Sequence, residues 1–269
     1  MIKMTLLTLS ILGALSAFTS QLDAASIPKW QPLEFTFKAS QSYTNPFQEV
    51  KLTATFASPS GRTVEARGFF AGEGKWKVRF SPDEEGRWTL KTTSEPADAG
   101  LGNQRESFNC TAATSQGGII VDPQHPTRLA YADGTPYLHL GDTIYNLFSG
   151  RATPAQTSAF IRDAARWRIN KFRVLLWDWQ ENVQYPFQVA PDGTVDFDRY
   201  DLAYYDRIEG ILRQLGEAGI NAALILRISN PPIVVKNKKQ NGTTEQFDAY
   251  VRYSLARLAS FPKDRKSVV

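Results

Sequence analysis

Three apolar stretches of this chain each run into a cluster of carboxylate, amide, guanidinium and aromatic side chains. The first ends in Gly141-Asp142-Thr143-Ile144-Tyr145-Asn146. The second passes through Arg173 into Trp177-Asp178-Trp179-Gln180-Glu181-Asn182, and the third ends in Arg227-Ile228-Ser229-Asn230. The candidate substrate-binding residues are therefore Asp142, Tyr145, Arg173, Trp177, Asp178, Trp179, Glu181, Arg227 and Asn230. Such a set suits a sugar: aromatic faces stack on its C–H surfaces, while Asp, Asn and Arg hydrogen-bond its hydroxyls. Hydrolysis of a glycosidic bond needs two carboxyl groups, one as acid and one as base or nucleophile. It needs no metal, cysteine or histidine, and this chain has one Cys (Cys110) and two His (His125, His139). A Cys₄ or Cys₂His₂ zinc site is excluded, and neither metal nor cofactor is expected. No G-x-S-x-G, H-E-x-x-H, Walker or G-x-G-x-x-G motif is present. That weighs against esterase, metalloprotease, NTPase and dinucleotide chemistry.

Each of these residues also has a plainer reading. Asp142 could simply cap a turn through Thr143, and Arg173 could be half of a buried structural charge pair. Trp177 and Trp179 alternate, so one could be core while the other faces a cleft. His139 lies in an apolar stretch, where a satisfied core histidine is the commoner outcome. Trp76 and Trp88, further forward, read as core rather than as a sugar platform.

A repeat of strand and helix positions the clusters. Residues 136–140 read as a first strand. Thr153 and Pro154 then read as N-cap and first residue of a helix that carries Phe160, Ile161, Ala164, Ala165 and Trp167 on one side. Residues 172–177 form a second strand, 198–217 a second helix ended by Gly219, 222–226 a third strand, and 243–260 a third helix. Near-continuous apolar strands alternating with amphipathic helices mean parallel βα units, and ligands bind such sheets at the carboxyl ends of the strands. A (β/α)₈ barrel needs eight units and ~250 residues, whereas three units fit between residues 118 and 262. Either the sheet is small and open, or the chain stops before the fold is complete.

The front of the chain differs. Within a segment spanning residues 30–112, residues 30–109 alternate with a period near two, and turn signals at Asn45-Pro46, Pro59-Ser60-Gly61, Gly72-Glu73-Gly74 and Ser81-Pro82-Asp83 divide them. This predicts an antiparallel, immunoglobulin-like β-sandwich that folds by itself. Residues 113–118 read as a linker, and 119–262 as the α/β part. The fold class is thus multidomain, β followed by α/β.

Ahead of the sandwich, Lys3 opens a basic start, residues 4–18 are almost wholly apolar or small, and residues 19–25 turn polar and end in small residues. Residues 1–25 read as a signal peptide. The apolar run falls short of the ~20 residues of a membrane span. The mature protein is expected to be secreted or periplasmic, without a membrane span, and with Cys110 as a single buried thiol. Apolar residues at 42% and charged residues at 22% exclude a disordered tail, a collagen-like repeat and a multi-span membrane protein. The net charge of +4 is spread along the chain, which argues against nucleic acid as a partner. Oligomeric state is left open.

Several segments carry a resemblance. Tyr43-Thr44-Asn45-Pro46-Phe47, Thr55-Phe56, Pro59-Ser60-Gly61-Arg62, Gly68-Phe69, and Trp76-Lys77-Val78-Arg79-Phe80-Ser81-Pro82 through Glu85-Gly86-Arg87-Trp88 closely resemble the DUF5060 domain. That domain is an N-terminal β-sandwich of secreted bacterial glycoside hydrolases. Tyr137-Leu138-His139-Leu140 followed by Gly141-Asp142-Thr143-Ile144-Tyr145 is similar to the start of the DUF4038, apiosidase-like (β/α)₈ hydrolases, with Tyr145 where that family often has Trp. Asn170-Lys171-Phe172-Arg173 resembles the second strand of clan-A glycosidases, in which an Arg after an Asn supports the nucleophile. The resemblance implies the N-terminal part of a secreted enzyme acting on a polysaccharide or oligosaccharide, and it does not name the sugar.

In that family a fourth strand ending in a carboxylate follows the third helix, and a second carboxylate comes from a later strand. Here Phe261-Pro262 is followed by Lys263-Asp264-Arg265-Lys266-Ser267-Val268-Val269. The catalytic residues are therefore expected beyond Pro262, and this piece is expected to be inactive alone. Residues 264–269 are expected to be non-native. They abandon the family pattern abruptly, and one reverse translation, GATCGGAAGAGCGTCGTG, matches a sequencing-library adapter. A genuine short C-terminus or a frameshift is the alternative. For the whole chain, the alternative to an enzyme is a non-catalytic carbohydrate-binding module or surface glycan-binding protein, since the rim residues fit both.

Overall fold

The computed structural model describes residues 25–177, 184–226 and 233–261. Its front comprises β1 (Ala25–Pro28), β2 (Leu33–Lys38), a short helix α1 (Pro46–Glu49), β3 (Lys51–Ala57), β4 (Thr63–Arg67), β5 (Phe69–Gly72), β6 (Lys75–Phe80), β7 (Gly86–Glu95) and β8 (Arg105–Thr111). They make a five-stranded sheet in the order β1-β8-β7-β3-β4 and a three-stranded sheet in the order β2-β6-β5. Every pairing is antiparallel except that of β1 with β8.

Alternation builds the core between these two sheets. Leu52, Ala54 and Phe56 of β3 point inward with Trp88 and Leu90 of β7, and they meet Trp76, Val78 and Phe80 of β6. The Phe56 and Phe80 rings stack with centroids 4.0 Å apart. Trp76 and Trp88 are both core residues, and Cys110 is buried among them, its thiol pKa pushed up by that burial. Asp98, 4% exposed, joins two loops: it accepts from the Ser40 amide and hydroxyl, the Gln41 and Gly100 amides and the Tyr43 hydroxyl. Gly100 must be glycine for this approach, because a Cβ there would lie 2.0 Å from the Lys38 carbonyl oxygen.

After residues 113–118 come β9 (Ile119–Val121) and β10 (Leu129–Tyr131), a small hairpin, then β11 (Gly141–Thr143), α2 (Pro154–Arg166), β12 (Lys171–Leu175), β13 (Phe187–Val189), β14 (Val195–Tyr200), α3 (Leu202–Glu217), β15 (Asn221–Ile225), β16 (Ile233–Val235), β17 (Lys238–Gln240) and α4 (Thr244–Leu258). β11, β12 and β15 form one parallel sheet in that order. Thr153 with Gln156, and Thr243 with Gln246, form capping boxes that start α2 and α4, while Asp201 caps α3. Phe172, Val174, Ala222 and Leu224 join the apolar faces of the helices in a second core. Among the described residues no barrel is closed.

Several expected elements shift. The first parallel strand is Gly141–Thr143 rather than residues 136–140. Leu138 is 84% exposed and His139 is exposed too, so neither belongs to a core. The Asn170 side chain holds this stretch instead, accepting from the Leu140 amide at 3.0 Å and donating to the Leu138 carbonyl at 2.6 Å. Trp167, placed on the buried side of its helix by periodicity, is the C-cap of α2 and is 79% exposed. Residues 195–200 form β14, so α3 begins at Leu202 and not at 198. The turn signal at Asn45-Pro46 opens α1, with Asn45 as its cap.

The two halves share a buried ionic joint. On β6, Trp76, Val78 and Phe80 face the front core, so Arg79 points the other way, under α3 and α4. It donates to Glu34 (2.7 Å), to Glu209 of α3 (2.7 Å) and to the Arg257 carbonyl (2.6 Å). Arg257 of α4 donates to Glu209 at 2.5 Å and also pairs with Asp206. Arg79, Glu209 and Arg257 side chains are all nearly inaccessible. Alongside, Phe69 of β5 packs into the second core, Phe47 meets Tyr200 and Tyr253 edge-on, and the Tyr253 hydroxyl donates to the Phe70 carbonyl. The front therefore buries part of its outer surface against α3 and α4.

Candidate functional site

The candidate site lies at the carboxyl ends of β11, β12 and β15. In the ladder, Asp142 lies beside Phe172, and Thr143 lies beside Arg173, which in turn lies beside Ala223. Phe172 and Val174 are buried under the helices. Arg173 therefore projects from the opposite face, where it is exposed rather than locked in a buried charge pair. Asp142 is exposed, and its Oδ1 accepts from the Thr143 amide at 2.7 Å, which is the turn-capping contact. Tyr145, just beyond β11, is 48% exposed. Trp177 is 4% exposed and packs edge-on against Tyr185, Phe187 and Tyr250, so it belongs to the core. Asp178, Trp179, Glu181, Arg227 and Asn230 lie outside the described residues.

Two tyrosines that sequence reasoning passed over hold the strand ends. Tyr204 of α3 donates its hydroxyl to the Leu176 carbonyl, and Tyr250 of α4 donates to the Leu226 carbonyl at 3.1 Å. Both carbonyls sit just past the last ladder residue, where a buried acceptor needs a new donor. Burial raises the Tyr204 phenol well above its ordinary pKa, which keeps it protonated and donating. Their only signal in the sequence was a polar tip on the apolar face of a helix. Arg207 of α3 donates to the Phe148 carbonyl at 2.7 Å and pins the loop after β11. Changing Tyr250 to Phe should leave the Leu226 carbonyl without that donor and cost about 1–2 kcal/mol. A urea unfolding midpoint compared with the parent chain checks this.

Chemically, the described rim offers a guanidinium, a carboxylate and a phenol facing solvent. Among the described residues no group of three or more His, Cys, Asp or Glu could hold a metal ion, and no helix is long and apolar enough to cross a membrane.

Comparison with known proteins gives this rim a context. Residues 124–264, just over half of the chain, match the profile described as apiosidase-like, catalytic domain. The chain belongs to the apiosidase-like family. Its apiosidase-like portion takes in β11, β12, β15 and the three helices around them. Residues 26–95 match DUF5060, a domain of unknown function. A solved structure from Bacteroides vulgatus ATCC 8482, described as a candidate glycoside hydrolase, is 27% identical with a TM-score of 0.74, over 89% of this chain and 48% of that one. The apiosidase-like chain thus spans about half the length of that relative. A second structure, titled glycoside hydrolase, is 18% identical (TM-score 0.32) over 41% of this chain and 25% of its own. A family 5 glycoside hydrolase from Bacteroides vulgatus ATCC 8482 is 17% identical (TM-score 0.32) over 41% and 24%. No curated protein matches the chain.

Proposed function

We propose that this chain is the N-terminal part of a secreted glycoside hydrolase acting on a polysaccharide or oligosaccharide. On this reading its front is an immunoglobulin-like sandwich, and its parallel sheet supplies the first three units of a (β/α)₈ barrel. The observation that carries the reading is the three-stranded parallel sheet with helices on one face, whose opposite face and carboxyl ends present Arg173 and Tyr145. The apiosidase-like match and the 27% identical relative support it. Asp142, Tyr145, Arg173, Asp178, Trp179, Glu181, Arg227 and Asn230 are proposed to hold sugar hydroxyls and ring faces, with Trp177 supporting them from the core. The acid and the nucleophile are assigned to strands after Pro262. The reaction uses carboxyl groups alone.

The purified 269-residue chain is accordingly expected to release no reducing ends from plant or algal polysaccharides. The same chain continued through the downstream reading frame should release them, and Arg173→Ala in that longer form should lower turnover by at least about tenfold, since a charge-assisted hydrogen bond is lost. Measured turnover by the short chain refutes the division of labour proposed here. An inactive continued chain refutes the hydrolase reading.

A further inference from the structure

Away from the rim, a cleft of about 730 Å³ opens between the turn at residues 30–32, the linker at 115–118, the end of α3 and the end of α4. That volume falls within the range of small-ligand pockets. Asn221, the first residue of β15, lines it, so it lies at the amino ends of the parallel strands. A five-residue strand separates it from the rim by roughly 15 Å. It is a cleft apart from the rim, lined by residues of the front and of the apiosidase-like part.

The lining is rich in uncommitted polar groups. Gln31, Gln116 and Glu217 make no side-chain hydrogen bond to another described residue, and neither do the Trp30 indole N–H and the Tyr131 hydroxyl. The guanidinium groups, by contrast, are committed: Arg79 is neutralised by Glu34 and Glu209, and Arg213 bonds Glu209 and lies over the Phe261 ring. A phosphate would find no free cation pair here, and a purely apolar ligand would strand the amides. Side-chain amides and a carboxylate beside aromatic residues match a neutral molecule with many hydroxyls.

The aromatic wall is preset. Trp30 has φ 70°, a left-handed backbone that a bulky residue rarely adopts, and its amide donates to the Pro82 carbonyl at 2.7 Å. The Lys29 ammonium sits 4.7 Å from the indole centroid. Gly117, at φ +76°, brings the linker against the ring, where a Cβ would stand 2.7 Å from Trp30 Cδ2. A wall fixed before the ligand arrives loses little freedom on binding.

We infer that this cleft is a second saccharide site, in which Gln31, Gln116 and Glu217 hydrogen-bond the hydroxyls of a short neutral oligosaccharide lying along Trp30 and Tyr131. The choice of a sugar rests on the glycan-acting reading above. Titration calorimetry on the full chain, with linear hexasaccharides of glucan, xylan, mannan, arabinan and galactan as probes, tests it. At least one probe should bind. Gln116→Ala and Glu217→Ala, both at exposed positions that leave the fold intact, should each weaken binding about tenfold, as expected for one or two lost hydrogen bonds. Lys91→Ala, at an exposed β7 position that belongs to neither the cleft lining nor the rim, should leave binding unchanged. Binding lost with Arg173→Ala but untouched by the cleft variants overturns the second site and keeps the glycan reading. No binding by any probe overturns the second site, while the hydrolase reading stands or falls on the turnover of the continued chain.

Discussion

Replacing Glu209 by Ala is expected to lower stability by about 3–5 kcal/mol, the range for removing one partner from a buried charge network. Glu209 receives Arg79 from the front and Arg257 from α4, with all three side chains almost inaccessible. Without it, two guanidinium groups stay buried, balanced only by Glu34 and Asp206 at the margins. Urea unfolding should show the loss as a drop in midpoint. Replacing Arg79, Glu209 and Arg257 together with apolar residues of similar volume should recover most of it, since desolvation of the ions then disappears along with their attraction. The joint also sets an acid limit. Burial works to raise the Glu209 carboxyl pKa, but the Arg79 hydrogen bond and the charges of Arg257 and Arg79 outweigh it, and the net shift is downward. A carboxyl depressed in the folded state stabilises above its unfolded pKa, and that contribution is lost as pH falls through the folded value. The midpoint of wild type should therefore fall on acidification below about pH 4.5, and the Glu209→Ala midpoint should fall less.

Asp98→Ala is the second large effect, on the order of 3 kcal/mol, because a buried acceptor is removed from several donors at once. Burial alone would raise the Asp98 pKa. The Ser40 amide and hydroxyl, the Gly100 amide and the Tyr43 hydroxyl bring it down to about 2. Its contribution is complete above the unfolded pKa, near 4, and fades as pH falls toward 2. Thermal melts at pH 7 and pH 2.5 should show a wide gap between wild type and variant at the higher pH and a narrower one at the lower. An equal gap at both would mean that the charge is irrelevant.

Local rules made much of the fold legible. Thr153-Pro154 and Thr243 marked true helix starts, and the alternation around Trp76 and Trp88 marked a true two-sheet core. Local rules failed where a distant residue decided the outcome. Residues 136–140, with Leu138 and Leu140 around His139, read as a strand, yet the Asn170 side chain occupies the Leu138 carbonyl and the Leu140 amide, and pairing with β12 starts only at Gly141. Alternation on β6 turns Arg79 away from the front core that Val78 and Phe80 enter. Two of its partners stand 130 and 178 residues further on, a distance that no periodicity can see. The rim was half legible. Strand ends pointed to Asp142, Tyr145 and Arg173, all of them exposed, but alternation could not say that Trp177 would be the core member of its pair.

The same separation has a consequence for how the polypeptide matures. Synthesis runs from the amino end, so the front emerges with Glu34 as the one acidic partner then available to Arg79. Glu209 follows 130 residues later, a delay of roughly ten seconds at ordinary elongation rates. Arg257 arrives later still. When the front first emerges, Tyr200 and Tyr253, which pack on Phe47 and Phe69 in the folded chain, have yet to be made. The joint can therefore close only after α4 has been made, so the outer face of the front is completed by residues far along the chain.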